Sequence, residues 1–563
     1  MYSPPQRQQC YQSSWYRQRH SLQAGRGRFA STREPAHCLE RNPRVFVSRL
    51  FENRGHQHFV RLRRPLVACL LLALVIYAPL FTTVFYTNHL IPNVWVSPYP
   101  SYRTVSEGRW LADIILLLAG GSGVQVIQSI VGFAILALNG VLLSVIFWAT
   151  SGFQIFLVSA TLLLHPAILD YFSFTSDAIG FVLADAFLLA GIVALGSIQR
   201  FSLAVALCSL LFMASIAVYQ PKLAVMATLA VLWCALPQRA SGGRWGMGAQ
   251  AGTGMPLSRL SRVFRAAAAC LIGILLYLLS LKVIGVEGAG ARTQINGVVE
   301  MSREFLRSFV TFGHYFILHV NYLPQNVRLL PAALCLLALA LTFAGEWRSR
   351  EVKSAVLIVL LLALLPPSLS LAFIVNDQAP QFAGRLLSAH AYFVAALAAF
   401  VLGFARLRPF STILVAALVY FFAIHAAQEI TAASLRNDYQ MLQLNRIVQA
   451  VERTVPDLYE RRRALVVIGD PVPFDASRIV RESDDGYHSQ LDTTMFIHYR
   501  QVLILNSLLG HDVFVSSDER EKEIAKAACA GRRPWPAAES VFLTDDLLVI
   551  LLEPLSPDVR VTW

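Results

Sequence analysis

The residues of this sequence best suited to chemistry are acids, arginines and aromatics that fall in short polar breaks between long apolar runs. The first break reads SYRTVSEGRWLAD and carries Tyr102, Arg103, Glu107, Arg109, Trp110 and Asp113. The second, LDYFSFTSDAIG, carries Asp170, Tyr171, Ser176 and Asp177, and the third is only Tyr219-Gln220-Pro221-Lys222. The fourth includes Glu287, Arg292, His314 and His319. The fifth, NDQAPQFAGR, carries Asn376, Asp377, Gln378, Gln381 and Arg385. A carboxylate can take a proton from an attacking group, and cations stabilise an anion as its charge develops. Ionisable groups at a bilayer edge are costly unless paired or solvated, so their gathering marks a site.

Each of these residues also has a plainer use. Glu107 stands at the start of an expected amphipathic helix, 107–119, where it would complement the helix dipole. Arg109 would snorkel to headgroups. Either Asp177 or Ser176 suits the N-cap of the run that follows. Lys222, after a proline at a span end, suits an anchor. Asp185, two turns into its run, is expected to face the protein interior. His314 and His319 are five apart and share no helical face well, which argues against a metal pair. Asp545-Asp546 reads as a solvated turn.

The elements that must position these residues are membrane spans. Of 563 residues, 55% are apolar and 15% charged, against about 25% charged in soluble domains, and the mean hydropathy is +0.52. That excludes an ordinary soluble enzyme. Apolar runs at 66–86, 124–149, 152–168, 178–197, 201–218, 221–237, 266–286, 329–345, 353–375, 386–404 and 409–427 approach the roughly 20 residues a bilayer demands. The expected architecture is therefore a polytopic α-helical membrane protein of about eleven transmembrane helices. The stretch 305–323, with Arg307, His314, His319 and Asn321, suits a re-entrant or interfacial helix better than a span.

Charge orients the chain. Residues 1–65 hold 13 Arg, no Lys and 3 acids, a basic and disordered tail expected in the cytoplasm. With that end inside, cytoplasmic loops collect Arg200; Arg239, Arg244, Arg259, Arg262 and Arg265; Arg348, Arg350 and Lys353; and Arg406 and Arg408. An odd span count then puts 428–563 outside, together with all five polar breaks. The expected domains are the 1–65 tail, a 66–427 membrane domain and a 428–563 α/β domain. In the last, 428–455 reads as a helix continuing from the final span, with Leu435, Tyr439, Leu442 and Ile447 on one stripe. RRRALVVIGD and DVFVSS read as strands, and SVFLTDD with LLVILLE as a hairpin around Asp545-Asp546. Of the net charge of +13, the tail beside the first span carries +10, which favours anionic lipid over nucleic acid. Eight cysteines show no C-x-x-C spacing, so no zinc site and no disulfide framework are expected.

Five segments in order resemble the glucosyltransferase type II family of bacterial O-antigen modification. They are SEGRWLADII, HPAILDYFSFTSDAIGFVLA, SIAVYQPKLAV, QFAGRLLSAHAYFVAAL, and RNDYQMLQLNRIVQAVERTVPDL followed by LVVIGDP. The resemblance covers roughly residues 65–475. It implies a GT-C-like glycosyltransferase of the bacterial inner membrane. Such an enzyme moves a sugar, glucose by the family name, from a polyprenyl-phosphate donor to lipopolysaccharide or another envelope glycan at the periplasmic face. The resemblance also implies a metal-independent reaction with no cofactor, although Asp170 with Asp177 leaves a divalent ion open. Members often carry an acidic pair early in the first outer loop. Here that stretch is NVWVSPYPSYR, with no acid.

For such a transfer the catalytic carboxylate would be Glu107, Asp177 or Asp113. Arg109, Lys222 and Arg385 would grip the phosphate, arginine having the bidentate geometry. Trp110, Tyr171 and Tyr219 would stack on sugar faces, Gln220 would bind hydroxyls, and Asp170 completes the substrate set. In-line displacement would invert the anomeric centre. Three alternatives remain from the residues alone. One is a flippase for a lipid-linked saccharide, which would need polar groups through the membrane depth. Another is a different lipid-dependent transferase such as an O-antigen polymerase. The third is a non-enzymatic envelope assembly protein whose outer α/β domain binds a partner.

Overall fold

Apolar runs become long helices because, away from water, every backbone N–H and C=O must be satisfied within its own segment. The structure, a computed structural model, describes residues 54–82, 104, 107–118, 125–149, 151–174, 177–237, 257–286, 296–313, 329–349, 352–376, 384–404, 407–470 and 501–556. The chain divides into two compact units, residues 1–57 and 58–563, and the second carries everything below. The basic tail to residue 53 lies outside the described residues.

The helices that matter for the site are α1 (Arg54–Ile76), α2 (Ala78–Thr82), α3 (Trp110–Leu118), α4 (Gln125–Ile146), α5 (Gly152–Leu163) and α6 (Pro166–Ser173). After them come α7 (Ala178–Ser197), α8 (Phe201–Val218), α9 (Lys222–Ala235), α10 (Arg259–Ile284) and α11 (Val298–Phe312). Then follow α12 (Leu329–Ser349), α13 (Val352–Ala363), α14 (Leu365–Leu369), α15 (Leu371–Val375), α16 (Ser388–Leu402) and α17 (Arg408–Thr454).

Six helices among the described residues are long and apolar enough to cross a membrane, or seven if one bent pair is a single span. That is fewer than the eleven expected from the apolar runs, and three further apolar helices are shorter than a span. The 152–168 run bends by 65° between α5 and α6. There Pro166 opens the new helix and the His165 side chain accepts from the Ala167 N–H as its cap. The 353–375 run breaks into α13, α14 and α15 around Pro366 and Pro367. The 221–237 run yields only the short α9.

The bundle core is built on α7, α8, α9 and α16, whose inward faces meet as Leu188, Phe212, Leu229 and Phe400. Consecutive antiparallel helices bring the start of α7, the end of α8 and the last turns of α10 to one end of the bundle. At the other end, arginines close helices. Arg262 donates to the Leu236 carbonyl at 3.0 Å, and Arg265 donates to Ile198 and Gln199 carbonyls at 2.7 and 2.8 Å. Both are buried, so two of the five basic residues assigned to one cytoplasmic loop serve as C-terminal caps of α9 and α7.

α17 runs for 47 residues, as the continuous pattern through 428–455 anticipates. Its buried stripe is Asn437, Gln440, Leu444, Ile447 and Val451, however. Leu435 and Leu442 are exposed. The stripe packs on a four-stranded sheet ordered β2 (Phe514–Ser516), β1 (Arg463–Ile468), β4 (Leu547–Leu551), β3 (Val541–Thr544). β1 pairs parallel with β2 and β4, while β3 and β4 form the expected hairpin. Asp545 and Asp546 both have positive φ, 46° and 68°, as a two-residue primed turn requires.

Candidate active site

The site begins with a short strap, Glu107 to Trp110, laid across the end of the bundle. Gly108 has φ +68°, and a Cβ there would meet Leu281 Cδ2 at 2.8 Å and the Tyr277 hydroxyl at 3.0 Å. Glycine is what lets the backbone turn left-handed this close to α10. The strap is pinned on several sides. Glu107 and Arg109 form an ion pair at 2.9 Å. Arg109 Nε donates to Gln220 Oε1 at 3.1 Å, and Gln220 Nε2 donates to the Glu107 carbonyl and, at 3.0 Å, to the Tyr277 hydroxyl. Trp110 Nε1 donates to Ser280 Oγ at 3.1 Å.

Behind the strap stands Tyr219, at the extended residue that ends α8. Its ring packs on Phe181 with centroids 4.7 Å apart. The Arg109 guanidinium lies 4.8 Å from the same ring, and Arg385 Nε donates to the Tyr219 hydroxyl at 3.1 Å. The Arg385 guanidinium also covers Phe174 at 4.1 Å. Two guanidiniums from distant parts of the chain thus meet around one tyrosine, an arrangement suited to an anion.

Between the strap and α7 lies a narrow cleft lined by Arg109, Ala112, Ile115, Asp177, Gly180, Phe181 and Val218. Asp177 occupies the N-cap position of α7 yet makes no capping hydrogen bond with its side chain. Asp177 lines the cleft together with Arg109.

Two turns along α7 from Asp177 lies a buried ion pair. Lys222 Nζ and Asp185 Oδ1 are 2.8 Å apart, and both side chains are fully buried. The Tyr171 hydroxyl donates to Asp185 Oδ2 at 2.9 Å and accepts from Lys222. Asn139 Nδ2 donates to the Tyr392 hydroxyl and to the Val182 carbonyl on the same layer. Asp177, Phe181 and Asp185 are spaced i, i+4, i+8, so one face of α7 carries cleft carboxylate, aromatic wall and ion pair in turn.

The structure therefore gathers Glu107, Arg109, Asp177, Tyr219, Gln220 and Arg385, and corrects several expectations about individual side chains. Glu107 does not begin the amphipathic helix: α3 starts at Trp110, and Asp113 is the acid in its first turn. Asp113 is buried and accepts from Thr104. Lys222 and Tyr171 point into the ion-pair layer rather than the cleft, because each is the nearest partner able to satisfy Asp185. Tyr219 is buried and holds two arginines, leaving no open ring face, and the Gln220 amide is fully occupied by the strap. The indole N–H of Trp110 is taken up by Ser280. Asp170 is fully buried in α6. Among the described residues no group of three or more His, Cys, Asp or Glu is placed to hold a metal ion. Tyr102, Arg103, Ser176, Glu287, Arg292, His314, His319, Asp377, Gln378 and Gln381 lie outside the described residues.

Tyr277, Ser280 and Phe181 were not legible as site residues. Tyr277 and Ser280 are three apart near the end of an apolar run, which puts two hydroxyls on one helical face. That spacing is the signal that could have found them.

Comparison with known proteins gives one result. Residues 93–402, more than half of the chain, match the family described as glucosyl transferase GtrII. No curated protein and no solved structure matches the chain.

Proposed function

The chain belongs to the glucosyl transferase GtrII family and is a membrane glucosyltransferase, and we propose that it moves glucose from a polyprenyl-phosphate donor to a hydroxyl of an envelope glycan such as O-antigen. In this reading the site end of the bundle and the 428–563 domain face the periplasm. The observation that carries the proposal is the cleft shared by Asp177 and Arg109, with Arg385 brought beside Arg109 through Tyr219.

The acceptor hydroxyl attacks the anomeric carbon while Asp177 takes its proton. The bond from that carbon to the phosphate oxygen breaks, and the lipid phosphate leaves with the electron pair. Arg109 and Arg385 stabilise the charge it gains, in a site where fixed cations act with little reorganisation. Attack opposite the leaving group inverts the centre. Glu107 holds the Arg109 guanidinium by their ion pair and so acts on donor binding rather than on the proton. Asp185 and Lys222 satisfy each other, which supports a structural layer over a transport path.

Purified protein in proteoliposomes tests the donor. Radiolabelled glucosyl polyprenyl phosphate is expected to give a glucosylated acceptor, and UDP-glucose is expected to give none. Transfer from UDP-glucose alone would refute the reading.

A further inference from the structure

We propose that Tyr277 is a positioning residue of this reaction: with the Gln220 amide it clasps the strap and fixes the Arg109 guanidinium at the cleft. The inference rests on the reading that Arg109 grips the donor phosphate.

The hydrogen bonds settle the clasp's polarity. Gln220 Oε1 faces a donor, Arg109 Nε, at 3.1 Å. Its Nε2 faces two acceptors, the Glu107 carbonyl and the Tyr277 hydroxyl. Turning the amide over would set N–H against N–H, so only this orientation satisfies all three groups. Accepting from Gln220 leaves the Tyr277 proton for the Gly108 carbonyl, 3.4 Å away. One hydroxyl thus ties the Gln220 amide to the strap backbone. Tyr277 is itself buried and is not among the cleft-lining residues. It touches neither proposed substrate and acts only through Arg109.

The platform for this clasp is the last third of α10. Trp110 is fastened there to Ser280, and Gly108 lies against Leu281. Elsewhere α10 is the least enclosed of the long apolar helices, with 17% of its apolar window buried in the protein. Its inner face packs on α8, with Gly273 against Phe212 and the Ser209 carbonyl, and the strap adds a second tie near the cleft.

Tyr277→Phe keeps the ring and removes the hydroxyl. The donor KM is expected to rise about tenfold, the loss of one hydrogen bond's net contribution to donor binding. The acceptor KM and the thermal midpoint are expected to stay within error. In an Arg109→Ala background the same change should add nothing, because both act on one contact. Gln220→Met, which removes the three hydrogen bonds that the amide makes and leaves only Tyr277 to the Gly108 carbonyl, should raise the donor KM further.

A second readout does not depend on activity. Ala112→Cys lines the cleft one turn past the strap, and its N-ethylmaleimide labelling rate can be read by mass spectrometry. Labelling should speed up several-fold in Tyr277→Phe. An unchanged labelling rate, or a donor KM effect additive with Arg109→Ala, would overturn the clasp. Faster labelling in a protein that takes no glucose from a lipid donor would leave the clasp standing and remove the reaction assigned above.

Discussion

Replacing Lys222 by Met keeps most of the side-chain volume and deletes the charge. It leaves the Asp185 carboxylate fully buried with a tyrosine hydroxyl in place of a cation. Removing one partner of a buried pair costs about 3–5 kcal/mol, because the other charge stays desolvated. Asp185→Leu should cost a similar amount by stranding the ammonium. The double variant Asp185→Leu/Lys222→Met strands neither. It should recover to within roughly 1–2 kcal/mol of the parent, since replacing a whole buried pair with apolar groups is often near neutral. Phe181 packs on Tyr171 at 5.4 Å and on Tyr219 at 4.7 Å, so the single variants should also distort the cleft wall and lose activity that the double variant regains in part. Equilibrium denaturation of the detergent-solubilised chain measures the energies, and glucose transfer measures the rest. Single variants that cost less than about 1 kcal/mol would refute this account of the ion-pair layer. So would a double variant as unstable as the two singles summed.

Other perturbations follow from the same geometry. Gly108→Ala should cost about 1–2 kcal/mol from the left-handed backbone alone, displace the Tyr277 hydroxyl and lower transfer sharply, as an activity assay would show. Asp457 accepts from Arg463, and that hydrogen bond holds its carboxyl below the usual range. A depressed folded-state value gives stability that is present above the unfolded value near pH 3.9 and is lost as pH falls through the folded one. Asp457→Asn should therefore lower the thermal midpoint of the C-terminal region slightly at neutral pH and flatten its acid limb, the variant and the parent converging at low pH. α11 is amphipathic with its apolar side outward: Val299, Leu306 and Val310 are exposed while Glu304 and Ser308 are buried. A fluorophore on Leu306→Cys should be quenched by brominated lipid, and quenching by aqueous iodide instead would place that face in water.

What the sequence made legible was what neighbours along the chain decide. Charge-free runs become helices because no other backbone arrangement satisfies itself in an apolar medium. The Asp545-Asp546 hairpin and the helix through 428–455 follow from turn chemistry and continuous periodicity. Among the described residues, members of four of the five polar breaks, Glu107 with Arg109, Asp177, Tyr219 with Gln220, and Arg385, meet at one end of the bundle, as the ends of antiparallel helices must. Which side chain faces which was not. Lys222 and Gln220 looked like substrate ligands because their partners, Asp185, Glu107 and Arg109, are chosen across tens of residues. Of the expected α17 stripe Ile447 is buried while Leu435 and Leu442 are exposed, for the same reason: Leu435 and Leu442 are as apolar as Leu444, and only the sheet packed against the helix selects between them. Span length was also overread, because a proline such as Pro166 bends an apolar run without making it less apolar. The buried Arg262 and Arg265 show that a basic residue near a span end need not be a topological signal, since each caps carbonyls at a helix terminus.

In the proposed transfer Asp177 is the group that receives the acceptor proton. Asp177→Asn, expressed and folded like the parent, should lower the glucose-transfer kcat by at least about 100-fold while the donor KM stays close to that of the parent. Glu107→Gln, measured beside it, should act mainly on the donor KM. An Asp177→Asn variant that transfers glucose at the parental rate would contradict the account at its centre.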